Sequence, residues 1–150
     1  MKRTIWFDMD GTIADLYSVD NWLPKLRASD PSPYAEAKPM LNFSLLARLL
    51  NKLQMNGYRI GVISWASKRC DADYFMAIQN TKKAWLKKHL PSVKWNEIYV
   101  TGYGISKNIW MKYDDDILFD DNEEIRNEWI GDAYEPNDIL KVLKELLGGE

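Results

Sequence analysis

The chain has 150 residues, of which 46% are hydrophobic and 28% charged, as expected of one soluble globular domain (1–150) around one core. A net charge of −2 gives no global attraction to nucleic acid or anionic lipid, and no apolar stretch nears the roughly 20 residues a membrane span needs. Cys70 is the only cysteine, which excludes an internal disulfide, and the run before Asp8 is too short for a signal peptide, so the expected setting is a reducing cytoplasm.

In chain order, the first element is an apolar strand, Thr4-Ile5-Trp6-Phe7, which runs directly into Asp8-Met9-Asp10-Gly11-Thr12. Residues 16–40 then break the pattern with Pro24, Pro31, Pro33 and Pro39, and with the aromatics Tyr17, Trp22 and Tyr34. This segment is too small for a domain and reads as a short helical turn plus irregular chain, a very small cap or flap. Phe43, Leu46, Leu49, Leu50 and Leu53 fall at helical spacing, and Gly57 ends that helix.

A second strand is expected at 59–63, ending at Ser64, and a helix whose inner face carries Tyr74, Ile78, Thr81, Trp85 and His89. Lys82 and Lys83 are placed on its solvent side, and Cys70 reads as a plain helix residue. His89, the only histidine, reads as a packing residue at the helix end. Strands at 97–100 and 116–119 follow, separated by a helix at 106–113, with a short edge strand at 129–130 and a last helix opening near Pro136. The acids Asp114, Asp115 and Asp116 read as a solvated loop. Strands alternating with helices predict an α/β fold: a three-layer, Rossmann-like parallel sheet of about five strands with helices on both faces. Ligands in such sheets sit beyond the carboxyl ends of the strands, where the polar candidates fall.

Two carboxylates released from a buried strand into a glycine turn suit phosphoryl transfer. Asp8 would attack phosphorus while Asp10 handles the proton. Magnesium would offset the repulsion between a carboxylate and a phosphate. Gly11 allows the sharp turn beside the phosphate and Thr12 stiffens it. Ser64 offers a hydroxyl to phosphate oxygens at its strand end, and Lys107 offers an ammonium. Asp120 would ligate the metal with Asp8 and the Asp10 carbonyl. Asp121 is either a further ligand or the N-cap of the following helix, with Glu124 completing a capping box. Trp22, Tyr34 and Trp65 are candidate substrate contacts, able to stack on a base or to pack the flap.

The order Asp8/Asp10, Ser64, Lys107, Asp120/Asp121 resembles the four motifs of the haloacid dehalogenase-like hydrolase superfamily over nearly the whole chain apart from the 16–40 insert. The resemblance implies that Asp8 is a nucleophile and Asp10 a general acid/base. Ser64 and Lys107 would bind phosphate, with Mg²⁺ on the final acids. Asp10 favours the phosphatase branch, and there is a likeness to small deoxyribonucleotidase-type members. Trp65, where the family commonly has a small residue or Asn, and the minimal cap are departures. The expected substrate is a small phosphomonoester, a nucleotide or a nucleic-acid end; the oligomeric state is left open. The alternatives are a phosphoryl-accepting switch and a catalytically silent binding domain of the same fold.

Overall fold

The computed structural model describes residues 2–148. Its centre is a five-stranded, fully parallel sheet built from β1 (Thr4–Phe7), β4 (Arg59–Trp65), β5 (Glu97–Thr101), β6 (Ile117–Phe119) and β7 (Asp132–Tyr134), in the order β5-β4-β1-β6-β7. β1 is central because all four of its residues are buried, with side chains alternating between two cores. Ile5 and Phe7 meet Leu46, Leu50 and Leu53 of α3 (Phe43–Met55), Trp85 and Leu86 of α4 (Ala72–His89), and Val142 and Leu143 of α6 (Ile139–Leu146). Trp6 points the other way, onto Ile63, Leu118 and Trp129, beside Ile125 of α5 (Glu123–Glu128). The helices therefore cover both faces, as the alternating pattern predicts. Among the described residues no helix is long and apolar enough to cross a membrane.

The insert is more ordered than its prolines suggest. A two-residue antiparallel pair, β2 (Ala14–Asp15) with β3 (Lys38–Pro39), closes its stem. Between them lie a 3₁₀ turn (Leu16–Ser18), α1 (Trp22–Arg27) and α2 (Ser32–Glu36). Leu16, Leu26 and Tyr34 share a small core with Tyr74 and Ile78 of α4. The Tyr74 hydroxyl donates to the Asp30 carbonyl (3.0 Å), and the Trp85 indole to the Ala37 carbonyl (2.7 Å). The flap is thus moored to α4.

Several sequence expectations need correction. The helix expected at 106–113 is only a 3₁₀ turn, Lys107–Trp110. The Asp116 carboxylate accepts from the backbone N–H groups of Lys112 (2.8 Å) and Tyr113 (3.2 Å), taking the donors a longer helix would use. Asp116 is accordingly no solvated loop residue: it is fully buried and also accepts from Thr4 N (2.8 Å) and the Trp6 indole (3.0 Å), tying the start of β1 to β6. The edge strand lies at Asp132–Tyr134 rather than 129–130, because Trp129 caps α5 and spends its indole N–H on the Asp116 carbonyl (2.9 Å). Cys70 lies in the loop before α4, which Asp71 caps through Tyr74 N (2.8 Å). His89 packs on Trp85 and Phe43, as expected of a helix-end residue.

Candidate active site

Asp8 leaves the end of β1, with its N–H held by the Phe119 carbonyl of β6 (2.9 Å). The chain then reverses within a few residues: the N–H groups of Thr12, Ile13 and Ala14 all converge on the Met9 carbonyl at 2.9–3.1 Å. Gly11 makes this possible. Its φ is +79°, and a Cβ there would strike the Asp121 carboxylate and the Tyr17 ring. Thr12 is buried and acts as a bolt: its hydroxyl donates to Asp8 Oδ2 (3.0 Å) and accepts from the Asp121 N–H (3.2 Å).

Asp120 and Asp121 follow β6 directly, so parallel pairing of β1 and β6 sets them beside Asp8. Asp8, Asp120 and Asp121 each offer a carboxylate oxygen, all within 4.8 Å of one another. Asp121 is not the helix cap. That role belongs to Asn122, whose side chain accepts from Ile125 N (3.2 Å), leaving the Asp121 carboxylate with the other two acids.

Lys107 lies at the centre of the group, 3% exposed, donating to Asp8 Oδ1 (3.0 Å) and Asp120 Oδ2 (2.6 Å). Burial alone would lower its pKa, but the two carboxylates overturn this and hold the ammonium above its ordinary value. One ammonium does not neutralise three acids. Burial, then repulsion from Asp8, pushes Asp120 up to about 6 and Asp121 up to about 7. A cluster of hard oxygen donors under this mutual repulsion fits a small divalent cation.

The Asp10 side chain stands apart from that trio. Its Oδ2 accepts from Lys82 (2.9 Å), and burial raises its pKa despite the lysine. Lys82 is 1% exposed and also donates to Ser64 Oγ (2.6 Å) and the Trp65 carbonyl (2.8 Å), with its ammonium 4.7 Å from the centre of the Tyr34 ring. The solvent-facing reading of Lys82 is therefore wrong, whereas Lys83 is exposed as expected. A signal existed: Lys82 lies four residues after Ile78 and three or four before Trp85 and Leu86, on the buried stripe of α4. A charged residue in that stripe needs a partner, and only the folded chain supplies one.

A cavity of about 740 Å³ opens over these groups, between the flap and the loops after β4, β5 and β6. Asp8, Asp10, Lys107, Asp120 and Asp121 line it. All three aromatic candidates line it too: Trp22, packed edge-on against Tyr17, then Tyr34, and Trp65, whose indole donates to the Ile105 carbonyl (2.8 Å). Ser64 and Thr12 do not line it. Ser64 is fully buried behind Lys82. A second, shallower depression beside α3 and His89 contains no carboxylate.

No protein-family model matches the chain, and no curated protein matches it by sequence. Solved structures do. A D,D-heptose 1,7-bisphosphate phosphatase from Burkholderia thailandensis superposes with a TM-score of 0.60 at 16% identity, over 97% of this chain and 99% of that one. The D,D-heptose 1,7-bisphosphate phosphatase of B. bronchiseptica, complexed with magnesium and phosphate, superposes at 0.54 with 13% identity, over 99% of this chain and all of that one. The chain therefore has, over essentially its full length, the α/β fold of these two phosphatases.

Proposed function

We propose that this protein is a magnesium-dependent phosphatase that hydrolyses a small phosphomonoester through an aspartyl-phosphate on Asp8. The observation that carries the reading is the trio of Asp8, Asp120 and Asp121 at adjoining strand ends, with Lys107 bridging Asp8 to Asp120, all lining an open cavity. The fold it shares with two phosphatases, one of them solved with magnesium and phosphate, supports the same reading.

The residues divide the work by their hydrogen-bonding capacity. An ammonium has three donors. Lys107 spends two on Asp8 and Asp120, and keeps one for a phosphate oxygen. Lys82 spends all three within the protein, so it positions groups and does not bind phosphate. Ser64 serves through Lys82 rather than by touching the substrate.

Asp8 attacks phosphorus with a carboxylate oxygen, while Thr12 and Lys107, each on a different oxygen, hold its orientation. Asp10, with its pKa raised, protonates the departing alkoxide and then takes a proton from the water that cleaves the acyl phosphate. Asp8, Asp120, Asp121 and the Asp10 carbonyl would hold Mg²⁺, which supplies charge neutralisation at the transferring phosphoryl group. Tyr17, Trp22 and Trp65 form walls suited to a flat or apolar leaving group, and a nucleotide is the first candidate.

The test is turnover of p-nitrophenyl phosphate with Mg²⁺, with EDTA, and by Asp8→Asn. Multiple turnovers that need both Mg²⁺ and Asp8 are expected. A single stoichiometric uptake of phosphate would instead identify a phosphoryl-accepting switch, and no reaction at all would identify a silent domain.

A further inference from the structure

Charge is sorted by position around the cavity. Its four acids, Asp8, Asp10, Asp120 and Asp121, gather where the catalytic strands end, and there they meet Lys82 and Lys107. Every other charged residue lining the cavity is a cation: Arg27 on the flap, and Lys68 and Arg69 on the loop after β4. All three are exposed, and among the described residues none forms an ion pair. Elsewhere on α1, Lys25 has Glu36 at 4.0 Å.

The nearest acid in sequence to Lys68 and Arg69 is Asp71, and its carboxylate is spent capping α4. Lys68 lies 5.9 Å from the Tyr103 ring centre, and Tyr103 in turn packs on Trp65 at 5.0 Å, all three lining the cavity. In a chain of net charge −2, three cations without an ion-pair partner among the described residues, on two walls of one acid-lined cavity, form a local field of the opposite sign. A volume of about 740 Å³ also exceeds what one phosphate group needs and falls in the range of pockets for whole small-molecule ligands.

We infer that the mouth of the cavity is a second anion subsite, and that the substrate class is a small phosphomonoester bearing a second, non-reacting phosphate. The reacting phosphate meets Asp8 and Lys107. The second sits between Arg27 and the Lys68/Arg69 loop, where arginine can engage two oxygens at once. This rests on the phosphatase reading above, and it makes the flap a specificity element. The backbone of the substrate, nucleoside or sugar, spans the aromatic walls between the two subsites.

The test compares kcat/KM in matched pairs at low salt with Mg²⁺: thymidine 5′-monophosphate against thymidine 3′,5′-bisphosphate, and glucose 6-phosphate against glucose 1,6-bisphosphate, with p-nitrophenyl phosphate as the reference. In at least one pair, the doubly phosphorylated member is expected to be preferred by about tenfold or more. That preference should shrink as salt rises, and should fall towards one in Arg27→Gln/Lys68→Gln/Arg69→Gln. The salt series on the wild-type protein makes the same test without any substitution. Turnover of p-nitrophenyl phosphate with no preference in either pair, or a preference indifferent to salt and to the triple substitution, would overturn the subsite and leave the phosphatase standing. Absence of turnover on every substrate would overturn both.

Discussion

Two buried lysines flank the end of β1, and they differ in what they leave free. Lys107 bridges Asp8 and Asp120, has a hydrogen to spare, and lines the cavity. Lys82 joins Asp10, Ser64 and the Trp65 carbonyl, has none to spare, and does not line it. Both are under 5% exposed and both face carboxylates, so burial and charge do not distinguish them. Counting donors does. One lysine keeps a donor free of the protein, and the other spends all of its donors on protein groups. An unpaired buried ammonium would be costly, so each depends on its acids as much as they depend on it.

The sharpest way to break this comparison is to remove the group Lys107 serves. Asp8→Asn keeps shape and volume, and is expected to lower kcat by at least about 10⁴-fold while the circular dichroism spectrum stays unchanged. Steady-state turnover of an aryl phosphate reads the effect; near-normal activity would end the covalent route.

Next comes Lys107→Met, which removes a donor to the transferring group. A loss of about 10²–10³-fold in kcat/KM is expected, together with weaker Mg²⁺ activation because Asp8 and Asp120 lose the contact that aligns them. A titration of activity against Mg²⁺ separates the two effects.

Lys82→Met should act differently. It leaves every phosphate-facing donor in place, so KM should change little while kcat falls by about 10²-fold through a misplaced Asp10. If KM rises and kcat holds, Lys82 touches the substrate and the division of labour is wrong.

The smallest effect is on stability. Mg²⁺ at about 100 times its Kd should raise the apparent stability by about 2.7 kcal/mol, seen as an upward shift in Tm. That shift should disappear in Asp120→Asn, and should survive in Lys82→Met, whose partners lie outside the acidic trio.

Much of this was legible before folding. The strand Thr4–Phe7 and its Asp8-Met9-Asp10-Gly11-Thr12 exit announce themselves, because a short, largely apolar run followed by two acids and a glycine has few other uses. The parallel sheet follows from strands alternating with long helical patterns, as in α3 and α4. The place of Asp120 and Asp121 follows from being next after a buried strand.

Other features were hidden, each for a stated reason. Asp116 looks like one of three loop acids, and only long-range contacts to Thr4 and Trp6, more than 100 residues away, reveal it as buried. The short turn at Lys107–Trp110 reads as a helix until Asp116 takes its donors. Asp121 and Asn122 are both good N-caps by type, and backbone geometry chose between them.

By itself, the order of residues along the chain determined the layered α/β fold, the strand ends where the acids collect, and the choice of Lys107 as a cation that meets them, since these depend on local pattern and on chain order. Folding alone decided that Lys82 turns inward to Asp10, that Ser64 and Thr12 lie buried outside the cavity lining, and that Arg27 comes to line the same cavity as Lys68 and Arg69. Those outcomes depend on which side chains from distant segments meet. A buried charge settles where its partners are, and its partners have positions only once the sheet has formed.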